Sequence, residues 1–151
     1  MSRETVIAGF LARQGYGGAI AAPLAQDASF RRYLRLAGGP RRAVLMDAPP
    51  PEDVRPFLRV AAHLAGVGLS APQIIAADES HGLVLEEDLG DDLLAALPLP
   101  GHPPDDSRVL EKVAAAVDAL VALQRAAPPP DLPAWDAPEM GQGALGTLLD
   151  W

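Results

Sequence analysis

Two stretches of the chain combine residue types and spacing that could do chemistry. The first, Leu24-Ala25-Gln26-Asp27-Ala28-Ser29-Phe30-Arg31-Arg32-Tyr33, joins two apolar runs through small and polar residues. Backbone N–H groups in such a turn, with the Ser29 hydroxyl, can face a phosphate, and Arg31 or Arg32 can add charge-assisted contacts. An ordinary hairpin turn followed by solvated arginines would read the same way. The second, Leu83-Val84-Leu85-Glu86-Glu87-Asp88-Leu89-Gly90-Asp91, is an apolar run that breaks abruptly into carboxylates and a glycine. Backbone groups at such an exit offer one donor and one acceptor at fixed spacing, which suits the edge of a planar base; a solvated acidic turn is the plain alternative. Glu86, Glu87 and Asp88 are poor partners for shared acid–base or metal chemistry, because neighbours along a strand point to opposite faces.

Other chemistries find little support. His63, His81 and His102 have no metal-ligand spacing and no HExxH context, and there is neither a cysteine nor a G-x-S-x-G nucleophile turn. No GxxxxGK[ST] or GxGxxG loop occurs. Trp135 and Trp151 read as packing residues. Twenty acidic against 12 basic residues give a net charge of −8, unsuited to gripping a phosphate backbone, so nucleic acid is not an expected partner. No segment approaches a membrane span and the first residues lack a leader pattern, so no membrane contact is expected and the cytoplasm is the expected location.

These stretches need elements to position them, and 151 residues suffice for one core with an appendage. Residues 2–14 place Ile7, Phe10 and Leu11 at helical spacing, with Ser2 as N-cap and Gly15 as stop. Strands follow at 19–24 and 30–36; in the second, Phe30, Leu34 and Leu36 take one face and Arg31, Tyr33 and Arg35 the other. Gly38-Gly39-Pro40 turns the chain into a buried strand at 43–46. Phe57, Val60, Ala61 and Leu64 predict a helix over 54–65, with Pro56 in its first turn and Gly66 and Gly68 closing it. Residues 73–76 and 83–86 read as two further strands. Residues 91–97 suggest a helical turn or two, and 107–127 a long helix whose stripe of Val113, Val117, Leu120 and Gln124 needs covering and could support self-association. The 16 prolines and 14 glycines lie mostly between these segments, as punctuation. The last stretch reads as a helix just beginning.

The element order, with Gln26-Asp27-Ala28-Ser29-Phe30-Arg31-Arg32-Tyr33, Met46-Asp47-Ala48-Pro49-Pro50, Asp53-Val54-Arg55-Pro56-Phe57 and Leu85-Glu86-Glu87-Asp88-Leu89-Gly90-Asp91, resembles the kinase-like aminoglycoside phosphotransferase family. Within it, the resemblance is to the bacterial branch that phosphorylates the anomeric hydroxyl of N-acetylmuramate and N-acetylglucosamine in cell-wall recycling. The resemblance implies an α+β fold: a protein-kinase-like small lobe, a five-stranded antiparallel sheet with a helix, over residues 1–90, and over 91–151 a hinge and the first helices of a large lobe. It implies ATP and Mg²⁺ as cofactors and an amino sugar as substrate. Gln26, Asp27, Ala28, Ser29 and Phe30 would correspond to the loop over the ATP phosphates, with Arg31 beside it. Leu85 would line the back of the adenine pocket, and Glu86 and Asp88 would offer hinge backbone contacts. The chain departs from the kinase pattern in its third strand, where Val44-Leu45-Met46-Asp47 carries no phosphate-pairing lysine; the one lysine is Lys112. Arg31, Arg32 and Arg42 are replacements by charge alone. The chain has no His-x-Asp followed by Asn, so the catalytic Asp and the Mg²⁺ ligands are expected in a further lobe, and this chain is expected to be an N-terminal portion inactive alone. A non-catalytic nucleotide-binding or interaction module, and an aminoglycoside or amino-alcohol kinase completed by a further lobe, are the alternatives.

Overall fold

The structure, a computed structural model, describes residues 2–24, 31–91 and 107–128. Helix α1 (Arg3–Arg13) begins where the Ser2 hydroxyl accepts the Thr5 N–H at 3.3 Å, and its Glu4 and Arg13 lie at the ends that favour their charges. It stops at Gln14, followed by Gly15 at φ +82°. Strands β1 (Ile20–Pro23), β2 (Arg32–Ala37) and β3 (Ala43–Asp47) come next, then α2 (Arg55–Gly66) with Pro56 in its first turn, where a missing N–H costs nothing. Strand β4 (Ile74–Asp78) turns through a short 3-10 segment, Glu79–His81, into β5 (Leu83–Glu87). Helix α3 (Ser107–Arg125) is two residues shorter than its sequence pattern suggests.

The strands form one antiparallel sheet in the order β1-β2-β3-β5-β4, so β5 inserts between β3 and the strand that precedes it in sequence. Central β3 is buried along its whole length, which is why its sequence is continuously apolar up to Asp47. Alternation then divides the core into two layers. On one face Leu36, Ala43, Leu45, Leu83 and Leu85 pack with Phe10 of α1 and Tyr16; on the other Met46, Ala48 and Val84 pack with Val54, and with Phe57 and Leu58 of α2. Each large side chain fully withdrawn from water contributes roughly 1.5–3 kcal/mol. The α1 layer is the larger of the two.

Two local features hold this arrangement. Gly82 sits at φ +62°, and a Cβ there would lie 1.9 Å from the Ala48 carbonyl oxygen, so only glycine lets β5 start against the end of β3. Asp47, fully buried, receives Arg3 Nε at 2.9 Å on Oδ1 and Arg32 Nε at 3.0 Å on Oδ2, while Arg3 Nη1 also reaches the His81 carbonyl at 2.6 Å. Helix α1, β2, β3 and the turn before β5 are thereby tied to one carboxylate. Along α3, Leu110, Val117 and Leu120 are more than half exposed. Among the described residues no helix is long and apolar enough to cross a membrane.

Candidate nucleotide-binding site

The site expected from the sequence has two parts, and the sheet brings their flanks to one face. Gln26, Asp27, Ala28, Ser29 and Phe30 lie outside the described residues, as do residues 92–97. The ends of the first stretch are defined: the Leu24 N–H donates to the Tyr33 carbonyl at 2.9 Å, closing a β1–β2 hairpin around it. A depression of about 320 Å³ bounded by Pro23, Leu24, Arg32, Tyr33 and Leu34 lies at its base.

Register places Ala22, Arg35, Val44, Glu86 and Ile74 side by side across all five strands. Glu86 is one residue beyond Leu85, which pairs with Leu45 in the α1 layer, so this row lies on the α2 face. Leu85 itself is fully buried against the α1 side. Its side chain therefore points away from the face that carries Glu86.

At the β5 exit the chain is stapled to the sheet. Arg35 donates from Nη1 and Nη2 to Asp91 at 3.0 and 2.8 Å, and its Nε lies 3.0 Å from Asp88 Oδ2. Arg42 Nη2 is also 3.0 Å from that oxygen, and the Gly90 N–H donates to Asp88 Oδ1 at 3.0 Å. The two guanidiniums hold Asp88 Oδ2 by charge, without hydrogen-bond alignment. Burial pushes the Asp88 pKa up, but the Gly90 N–H and the charges of Arg35 and Arg42 outweigh it and leave the carboxyl below its ordinary value. Asp88 thus shapes the exit through its side chain.

Glu86 is the opposite case. It is 6% exposed, its Oε2 has no hydrogen-bond partner among the described residues, and burial raises its pKa to about 7. Among the described residues no charge offsets that desolvation.

The three arginines named as replacements for a third-strand lysine all contact carboxylates. Arg31 Nε donates to Glu52 at 2.8 Å, a bond that raises the Arg31 pKa further; Arg32 pairs with Asp47, and Arg42 with Asp88. Met46, on the α2 face of β3, is packed with Val54. Sequence reasoning missed the Arg35–Asp88–Arg42 staple, having placed Arg35 only on the face of its strand opposite Leu34 and Leu36. It also missed Asp47 as a buried anchor. Among the described residues no three His, Asp or Glu side chains are grouped to hold a metal ion.

A five-stranded antiparallel sheet flanked by helices, with a strand leading into a carboxylate-rich exit, is the small lobe of a kinase-like α+β fold. Residues 20–145 match the model of the Phosphotransferase enzyme family, and the chain belongs to that family. It is 45% identical over 131 residues to an N-acetylmuramate/N-acetylglucosamine kinase of Pseudomonas aeruginosa, a match covering 85% of this chain and 36% of that protein. Proteins of the same name from Caulobacter vibrioides and Neisseria meningitidis are 35% and 37% identical, over 89% and 77% of this chain and 43% and 34% of theirs. The chain therefore spans about a third to two-fifths of the length of these relatives.

Proposed function

We propose that this chain is the nucleotide-binding front portion of an ATP-dependent kinase for an amino sugar, N-acetylmuramate or N-acetylglucosamine, acting at the anomeric hydroxyl in cell-wall recycling. The observation that carries the reading is the 45% identity over 85% of the chain to a kinase of that name. The sheet supports it through the row of Arg35, Val44, Glu86 and Ile74 that leads to the β5 exit on its α2 face. Residues 26–30 would cover the phosphates from the β1–β2 hairpin, with Arg31 beside them. The backbone from Glu86 to Gly90, held in place by Asp88, Arg35 and Arg42, would meet the edge of the base, between walls supplied by Val44 and Ile74.

ATP bound here would supply the phosphoryl group, and Mg²⁺ held by residues of a further lobe would neutralise charge on the phosphates. This chain's part is positional: it fixes the base and orients the phosphates toward the lobe that holds the acceptor. The base for the sugar hydroxyl and the metal ligands would come from that lobe, in the two-thirds of the relatives that the chain does not match. Splitting positioning from charge stabilisation in this way removes most of the rate enhancement. Self-association through α3 and a cytoplasmic location belong to the same proposal.

Calorimetric titration with Mg·ATP, combined with an assay for ADP release in N-acetylglucosamine, tests it. Saturable heat with a weak constant and no ADP release is the expected pair of results. Absence of binding at millimolar nucleotide would contradict the assignment, and sustained ADP release would contradict the division of labour.

A further inference from the structure

A buried acceptor that finds no donor within its own chain is costly, roughly 1–3 kcal/mol, and is retained where something else uses it. Among the described residues Glu86 is such a group, with 94% of its surface withdrawn from water and Oε2 unpartnered. Its surroundings on the sheet are apolar: Val44 of β3 on one side, Ile74 of β4 on the other. From α2, Phe57 and Leu58 pack against this layer. The nearest cation in the row, Arg35 of β2, is turned to Asp88 and Asp91. Beyond Glu86 only Glu87 remains in β5, and the backbone leaves the sheet through Asp88 to Gly90.

From this placement we propose that the Glu86 carboxyl group selects the base, accepting a hydrogen bond from an exocyclic amino group and so favouring an amino purine over its oxo counterpart. The inference rests on the nucleotide-binding reading above and deepens it. A base whose edge pairs with backbone at the β5 exit presents the substituent on that edge to the side chain one step back on the same face, which is Glu86. An amine there donates to the unpartnered oxygen. A carbonyl there sets acceptor against acceptor beside a carboxyl group withdrawn from water, and a site built around one polar group rejects the mismatched analogue strongly. The carboxyl titrates near neutrality, so the contrast is sharpest above that range, where it only accepts.

Adenosine and inosine triphosphates differ there by amine against carbonyl, and at the neighbouring N1, which accepts in adenine and carries a proton in hypoxanthine. Their magnesium complexes are titrated at pH 8 into the isotope-labelled 151-residue chain, following backbone resonances of β3 and β5 by NMR. Wild type, Glu86→Gln and Glu86→Leu are compared, and the spectra themselves report whether each variant is folded. The wild type should bind the adenosine nucleotide at least about tenfold more tightly, as expected of a hydrogen bond to a charged group. Glu86→Gln, whose amide oxygen still accepts, should keep part of that preference, and Glu86→Leu should lose most of it, retaining only what backbone pairing with the base edge supplies. Equal binding by the wild type, or an undiminished preference in Glu86→Leu, overturns the role of Glu86 while leaving nucleotide binding standing. Failure of either nucleotide to move any resonance overturns both.

Discussion

Two charged residues are buried among the described residues, Asp47 and Glu86, and the sheet puts them on opposite faces. Asp47, in the α1 layer, has a guanidinium on each oxygen. Glu86, in the α2 layer, has an oxygen with none among the described residues. The same chemical group is thus an anchor on one face and an unfinished contact on the other. A satisfied buried carboxylate explains itself within the fold; an unsatisfied one directs attention to what binds there.

That contrast can be broken from either side. Asp47→Asn should have the largest effect: Arg3 and Arg32 would lose their shared partner, costing about 3 kcal/mol in a denaturant titration, toward the lower end for a disrupted buried pair because both arginines reach solvent. A loss under about 1 kcal/mol would remove Asp47 from its anchoring role.

Glu86 should show itself through pH. Its pKa is raised in the folded chain from 4.5 to about 7, so the folded state binds the proton more tightly than the unfolded state does. The resulting stability is fully present below pH 4.5 and is lost as pH rises through 7, on the order of 3 kcal/mol in total. Thermal melts of wild type and Glu86→Gln should diverge in slope between pH 5 and 8, with the variant lacking the decline. Parallel profiles would mean that Glu86 is not desolvated as described.

Gly82→Ala tests the junction that both faces share, since the methyl would meet the Ala48 carbonyl oxygen and φ is positive. A cost of about 2 kcal/mol in the same titration is expected. The smallest effect belongs to Asp91→Asn. Asp91 is mostly exposed and its contact with Arg35 is screened by solvent, so the denaturation midpoint should stay within error. A clear shift there would make the staple at the β5 exit a stability element comparable to Asp47.

Much of the fold was legible. Ser2 and Gly15 marked the ends of α1, Pro56 marked the start of α2, and alternation separated Leu34 and Leu36 from Tyr33 and Arg35. Alternation does not say which helix covers which face, because that depends on how the chain crosses the sheet. Leu85 was expected at the back of a base pocket, and its side chain lies under α1; Glu86 was expected to act through its backbone, and its carboxyl is buried on the α2 face. The arginine partners were hidden for a related reason. Arg3 and Asp47 are 44 positions apart and Arg35 and Asp91 are 56 apart, separations over which no local pattern operates. The family motifs were legible because they are contiguous.

The most direct test of the account exchanges parts. Residues 1–128 of this chain replace the matching stretch of the Pseudomonas aeruginosa relative, and ATP-dependent phosphorylation is measured with N-acetylmuramate, N-acetylglucosamine, kanamycin and choline. Phosphate transfer to the two amino sugars, and to neither other acceptor, is the predicted result. A folded chimera that consumes no ATP with either sugar would contradict the assignment of this chain as the nucleotide-binding portion of an amino-sugar kinase.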